Sequence, residues 1–550
     1  MRIDTLLTNA RIRTMDPAHP VAHTLAITNG FVVAVDEDAR DARPDRVLDL
    51  GGQVVLPGFH DAHMHFSVLG QDFTQLDLAP ERVGGLDALY AEVERFAATL
   101  EPGRWVVGHG YDQNKLGGHP HRRVLDRIAG GRPVYLVHNS KHMAVANTAA
   151  FAAAGHPDPD AVHDVAGGVV VREGGEATGL LQEKALALVN HALRPVAQEP
   201  LVEGLAAASE WALRHGLTSV TEPGIAGQSG IGHGPSDLRA FQTARDLGLL
   251  RVRATLFPFV DALHPLGAIS SSEEGFGLDL GMRSGLGDDF VRVGAVKIAS
   301  DGSLIGRTAA MCCDYHDSPG NSGLLQWSEK ELFELIDLSH RNGWQVATHA
   351  IGDYALDVTL DAYEAAQRRT PRPDARHRIE HVAVASDEQV DRIIRGGVVP
   401  VPQGRFISRL GDGFISALGP ERAELAYRMR SFVDAGVVLP GSSDAPVVPG
   451  EPLHSIHDMV NRTTAAGVVI NPGERLTVEQ ALRAYTVGSA YADRQEHRKG
   501  TLAAGYLADL VVLSDDPLCV PAQRLRELQV GATMVGGELL HDAGVLERDA

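Results

Sequence analysis

The chain has 550 residues, is 44% hydrophobic and carries a formal net charge of −21, so it can bury a large core and has length for more than one domain. No Lys/Arg-rich run is present, which removes the electrostatic footprint of a nucleic-acid binder. No stretch approaches the roughly 18 consecutive apolar residues of a membrane span. The opening MRIDTLLTNARIRTMD lacks the basic-then-apolar pattern of a signal peptide, and Cys312, Cys313 and Cys519 are too few for a disulfide framework. These features predict a soluble, cytoplasmic protein with reduced thiols and no nucleic-acid or membrane partner.

Short alternating strands come first: DTLLTNARIRTM, then HTLAITNGFVVAV with a turn at Asn29-Gly30, then RVLDLGGQVVLPGF. The last runs into His63-Met64-His65. Residues two apart on a strand face the same way, so both imidazoles point to one side, a grip suited to zinc or a similar divalent ion. His60 and Asp61 precede them, and Asp61 reads as an acceptor that orients a ligand imidazole.

Roughly residues 70 to 200 then depart from any simple connection. Strands RWVVGHGYD, RPVYLVHNS and GGVVVREGG occur there with their own helices, whereas a strand-to-helix link is about 2–6 residues long. The segment reads as an insertion subdomain over the catalytic mouth. Within it, Asp112, His142 and Glu183 taken alone read as ordinary surface or capping residues.

From GLTSVTEPG onward strands alternate with helices: LRVRATLFPF, VRVGAVKIAS, WQVATHA, HRIEHV, GVVPVPQG and VVLPGSSDA. The Gly-rich GIAGQSGIGHGPSD after the first of these lacks phosphate-loop order and reads as a mobile flap. Ser328-x-x-Glu331, Ser386-x-x-Gln389 and Thr477-x-x-Gln480 have the spacing of reciprocal helix caps. With the His63 strand the runs number eight, which predicts an α/β chain folded as a (β/α)8 TIM-like barrel. Strands return in GTLAAGYLADLVVLSDDP and LQVGATMVGGELLH, so the two ends are expected to form one small β-sandwich domain. The predicted division is 1–56 and 498–550 for that domain, 57–497 for the barrel and 70–200 for the insertion within it.

In a barrel of this kind the chemistry sits where strands end. Lys297, His349, His381 and Asp444 all follow β-branched or apolar runs, and together with His63 and His65 they make a metal-ligand set. Asp444 can ligate an ion and accept the proton of an attacking water, joining ligand and general base in one group. Lys297 is one of six lysines and lies between Val296 and Ile298. A buried ammonium is costly unless paired. It is either paired with a neighbour such as Asp301 or carbamylated by CO2 into an anionic oxygen ligand. Arg307 is placed to hold a substrate carbonyl or carboxylate, or else is structural.

The runs PGFHDAHMH, VKIASDGSL, THAIGD, RIEHV and SSDAPV, with the segment from Gly500 to Leu513, resemble the amidohydrolase superfamily. Within it they are similar to the amidohydrolase family 3 branch that includes N-substituted formamide deformylases, over essentially the whole chain. The resemblance implies one metal on His63, His65 and Asp444 and a second on His349 and His381. It implies one or two zinc ions, with carboxylated Lys297 as the bridge. It further implies attack of a metal-activated hydroxide on an amide carbon, Asp444 passing the proton to the leaving amine. It places His142 and Glu183 near the pocket as substrate contacts, with Asp112 and Arg307 as weaker candidates. Relatives carry Trp where this chain has Tyr111 and Leu116, which concerns substrate rather than metal. The expected enzyme cleaves a linear C–N bond in a small-molecule amide, foremost an N-substituted formamide. An N-acyl amino acid amidohydrolase or deaminase is the alternative, and a catalytically inactive interaction module a remote one. A mononuclear enzyme with unmodified Lys297 stays open, and a homodimer is compatible with the acidity and the insertion.

Overall fold

Leu510–Leu513, near the end of the chain, pairs antiparallel with Val54–Pro57 near its beginning, Val511 facing Leu56. In this computed structural model, residues 1–80, 82–101, 103–139, 141, 143–166, 168–193, 198–227, 232–268 and 274–546 are described. Terminal strands form two sheets. One orders Phe31–Val35, Leu25–Thr28, Arg2–Thr8 and Arg43–Asp49; the other has six strands, contributed by both ends of the chain. Alternation in Arg2–Thr8 turns Ile3, Thr5 and Leu7 inward, as a sheet with one covered face requires. Leu7, Ile12, Val32, Val55, Leu510 and Met534 meet in one core, so neither terminal segment buries its apolar face without the other. The Asn29-Gly30 turn is a hairpin with both residues left-handed (φ 51° and 80°), the geometry that matches strand twist.

The described residues fall into two compact units, one of 1–66, 209–227 and 241–550, the other of 67–208 and 228–240. The second contains a six-stranded sheet that includes Val106–Tyr111, Val134–His138 and Glu176–Glu183. Leu89, Val93 and Ala97, on one side of helix Leu86–Thr99, pack onto Val106, Val134 and Leu136 of that sheet. Four residues of the Gly-rich segment expected to form a flap, 228–231, lie outside the described residues, as does His142.

In the first unit, Phe59–Asp61, Leu217–Ile225, Arg253–Pro258 and Val291–Val293 form a parallel sheet. Val296–Ala299, Val346–Ala350, Arg378–His381 and Val399–Val401 form another. Both sets are buried almost throughout, as parallel strands covered on two faces must be. Parallel bridges at Phe259–Lys297 and Gln403–Ser442, with Ala62 N–H donating to the Gly441 carbonyl at 2.9 Å, join them in succession. Two expected strands differ in detail. VRVGAVKIAS breaks at Gly294-Ala295, where a Cβ on Gly294 would lie 2.3 Å from the Phe257 ring. VVLPGSSDA is an extended segment held by single bonds instead of a continuous ladder. All three reciprocal caps at Ser328, Ser386 and Thr477 are formed. Among the described residues no helix is long and apolar enough to cross a membrane.

Candidate metal centre

The backbone at two strand ends departs from regular geometry, and each departure delivers a side chain. On Arg378–His381, Arg378 and Glu380 share one face by the strand period, and His381 should point away. His381 and Val382 take left-handed φ of 77° and 45°, and His381 comes to lie against His63 with ring centroids 5.1 Å apart. Asp444 is likewise left-handed (φ 63°). Non-glycine residues held this way cost of order 1–3 kcal/mol each and persist only where the surroundings fix them. Here Asp444 N–H donates to the His63 carbonyl at 2.7 Å, and Asp61 Oδ1 accepts from His63 N–H at 3.0 Å and Ser443 N–H at 3.1 Å. Asp61 therefore ties the two ligand segments together by their backbones, rather than orienting an imidazole as the sequence suggested. Burial pushes its carboxyl up to about 7.

His63, His65 and Asp444 are buried and bring one donor atom each to within 4.8 Å of one another. Asp444 Oδ1 lies 3.4 Å from His63 Nε2 and 3.3 Å from His65 Nε2. His63 Nε2 and Asp444 Oδ1 are buried and make no hydrogen bond among the described residues, an expensive condition for polar atoms unless something else binds there. A divalent cation satisfies such a set, and its ligand types are those zinc prefers.

Partners behind the rings fix which nitrogen carries the proton. His63 Nδ1 lies 2.5 Å from Glu380 Oε2. Burial opposes charge on Glu380, yet Arg378 and His63 hold its carboxyl well below the usual range. As a carboxylate it can only accept, so His63 donates from Nδ1 and keeps its lone pair on Nε2, toward Asp444. Gln403 Nε2 donates to the Val401 carbonyl at 2.9 Å and to Ser442 Oγ at 3.1 Å, leaving Oε1 to accept from His381 Nδ1 at 2.7 Å. His381 Nε2 is thereby left as its lone-pair nitrogen. Burial pushes the pKa of both rings down, His381 furthest, so both are neutral, as ligands must be.

His349 stacks edge-on against His381 at 4.5 Å between centroids. Its Nε2 is 3.0 Å from the Gly302 carbonyl and 3.3 Å from Asp301 Oδ1. Asp301 makes no ion pair with Lys297; its carboxylate accepts from the backbone N–H groups of Ala310, Ile351 and Gly352 at 2.8–3.1 Å, and so braces the turn after His349. Lys297 is buried in its strand, and its ammonium forms no ion pair among the described residues. Burial lowers its pKa against the pull of Glu380, Asp444 and Glu222.

The remaining candidates are differently placed. Arg307 donates to Asp317 and to the carbonyls of Leu304 and Ile305. In the second unit, Asp112 caps the short helix Gln113–Leu116 by accepting from Asn114 N–H at 2.9 Å. Glu183 is half-buried with φ 52°.

Three residues beside the site are not singled out from the sequence. Glu380 is one, and Arg378, which grips it through Nε and Nη2 at 2.8 and 3.0 Å while Nη1 reaches Asp493 at 3.1 Å, is another. Glu222, whose Oε1 is 3.6 Å from His65 Nδ1, is a third. The alternation of charges in Arg378-Ile379-Glu380 within an apolar strand is the trace that could have found the first two.

The family model described as an amidohydrolase family matches residues 46–541. The chain is 31% identical over 506 residues to the Bacillus subtilis protein described as putative amidohydrolase YtcJ, covering 90% of each. It is 30% identical over 566 residues to the N-substituted formamide deformylase of Arthrobacter pascens, covering 98% of each. Among solved structures, an uncharacterized metal-dependent hydrolase from Pyrococcus horikoshii superposes with a TM-score of 0.75 at 26% identity, over 94% of this chain and 99% of that one. Both the matched length and the buried His63, His65 and Asp444 lead to one conclusion: the chain belongs to amidohydrolase family 3 and is a hydrolase of the amidohydrolase superfamily.

Proposed function

We propose that the protein hydrolyses a linear amide, foremost an N-substituted formamide, releasing formate and an amine, with zinc held first by His63, His65 and Asp444. One observation carries this reading: His63 Nε2 and Asp444 Oδ1 are buried, face each other and make no hydrogen bond among the described residues, while Glu380 fixes the His63 tautomer that leaves a lone pair there. A divalent ion in such a site polarises a carbonyl and makes water nucleophilic at neutral pH. The chain's own groups do the rest. A carboxylate oxygen of Asp444 takes the proton of the attacking water and returns it to the leaving nitrogen. Glu380 and Gln403 hold the His63 and His381 rings in place. Lys297, buried and without an ion pair among the described residues, suits carboxylation into a bridging ligand to a second ion held by His349 and His381. The paired strand ends suit a (β/α)8 barrel of residues 57–497, with 1–56 and 498–550 as the β-domain and 70–200 as the insertion.

The formamide assignment is supported by the full-length likeness to the Arthrobacter deformylase. An N-acyl amino acid would need a cation for its carboxylate, and the Arg307 guanidinium is already occupied by Asp317 and two carbonyls. The deciding experiment is elemental analysis of the purified protein, run beside formate release from a panel of N-substituted formamides and acyl amino acids. Zinc with formate release supports the reading in full. Zinc with activity on acyl amino acids alone replaces the substrate, and no bound metal, with no activity on adding it, overturns the reading.

A further inference from the structure

Cys312 and Cys313 are adjacent, both exposed, and have their sulfurs 3.7 Å apart. Each is held by a different charged group. Cys312 donates its backbone N–H to Asp353 Oδ1 at 2.8 Å and its thiol to Asp353 Oδ2 at 2.9 Å. Cys313 Sγ accepts from Arg422 Nη1 at 2.9 Å, and Arg422 Nη2 also donates to the Asp314 carbonyl at 2.7 Å. The loop is pinned on both sides, by Met311 N–H to Ser322 O and by His316 N–H to Ala417 O, both 2.8 Å. Next to the Cys312 thiol lies a cavity of about 250 Å³ walled by Met311, Leu324, Leu325 and Tyr354. A dithiol, a carboxylate, a guanidinium and a recess with Met311, Leu324, Leu325 and Tyr354 on its wall therefore occur together.

We propose that Cys312 and Cys313 form a binding site for a soft, thiophilic trivalent compound bearing an apolar group, an aryl arsenical being the chemical type. The spacing favours a third atom bridging the two sulfurs over a direct bond. Disulfides usually need Cα atoms about 4.4–6.8 Å apart, whereas neighbouring residues offer about 3.8 Å. The chemistry balances without an oxidant. With an aryl arsenic(III) oxide, two S–H bonds break and two As–S bonds form, and the oxygen leaves as water with both thiol protons; neither arsenic nor sulfur changes oxidation state. Arg422 Nη1 holds the Cys313 sulfur at 2.9 Å and Asp353 the Cys312 thiol at 2.9 Å, and each thiol proton leaves with the arsenic-bound oxygen as water. The aryl group lodges among Leu324, Leu325 and Tyr354. This site does not depend on the metal reading, since its occupancy is read by mass.

The test is intact-protein mass spectrometry after treatment with phenylarsine oxide, followed by challenge with excess monothiol or with a dithiol. One phenylarsenic adduct per chain, resistant to the monothiol and removed by the dithiol, is expected. Cys312→Ser and Cys313→Ser should each lose monothiol resistance by at least tenfold, and Cys519→Ser should not. An adduct that survives in either serine variant, that maps to Cys519, or that the monothiol strips from the wild type overturns the proposal. Because the cysteines are exposed, neither serine variant is expected to impair folding, and circular dichroism of each checks this.

Discussion

His63 and His65 are buried with an Asp444 oxygen between their nitrogens, whereas His349, the outer member of the other pair, is partly exposed and has its Nε2 against the Gly302 carbonyl. Among the described residues, His63 Nε2 and Asp444 Oδ1 have no hydrogen bond to lose when a cation arrives. The second is only half prepared: Gln403 fixes His381, but His349 already has a backbone partner and meets water. Preorganised ligands bind without reordering cost, so the two halves of the centre should differ in affinity. Metal titration of stripped protein should show one tight equivalent, with any second binding more weakly.

Variants that break one half at a time sharpen this contrast. The largest effect is expected of Asp444→Asn, which would remove both the charge proposed to hold the ion and the proposed proton acceptor. Activity should fall by about 10²–10⁴-fold, the range for a lost general base, and the tight equivalent should go with it, read by kcat/KM and elemental analysis. His349→Ala should leave that equivalent in place; if it strips all metal instead, the asymmetry is wrong. Smaller is Glu380→Gln, which keeps an acceptor for His63 but removes its charge. Loss of such a partner weakens metal affinity by about 10–100-fold, and competition with a chelator measures it. Gln403→Ala should show the lower end of that range, confined to the weaker equivalent. A thermal melt separates both effects from instability, because Arg378 is also buried against Glu380.

Which parts of this centre the sequence reveals follows from how each residue is held. His63, His65 and Asp444, whose donor atoms the fold brings within 4.8 Å of one another, each follow an apolar run, and that pattern taken with the family resemblance is what singles them out. The Asn29-Gly30 hairpin and the three helix caps are local chemistry, complete within a few residues. Glu380 is hidden because its meaning lies 317 positions away, at His63. Glu222 is hidden because a glutamate before Pro-Gly reads as the start of a turn, and only folding sets it near His65. The break at Gly294-Ala295 depends on the Phe257 ring, and the left-handed turns at His381 and Asp444 depend on packing that no spacing rule encodes.

The smallest expected effect concerns a second histidine pair, buried behind the strands that carry His349 and His381. Val346 N–H donates to His377 Nδ1 at 3.0 Å, His377 and His340 share a bond of 2.7 Å, and His340 Nε2 lies 2.7 Å from the Thr370 carbonyl. A carbonyl accepts only, so His340 donates from Nε2 and accepts at Nδ1 from His377 Nε2–H. Every bond is satisfied when both rings are neutral, and none can accommodate another proton. Burial accordingly pushes both pKa values down, His377 well down. The unfolded chain, with ordinary histidines near 6.5, then binds more protons than the folded one in acid, and stability falls as pH falls. Full stability is expected above pH about 6.5, with a declining Tm below it in metal-stripped protein. His340→Gln, which can donate to Thr370 and accept from His377 without titrating, should flatten that decline. An unchanged slope in this variant would place the acid sensitivity in other histidines.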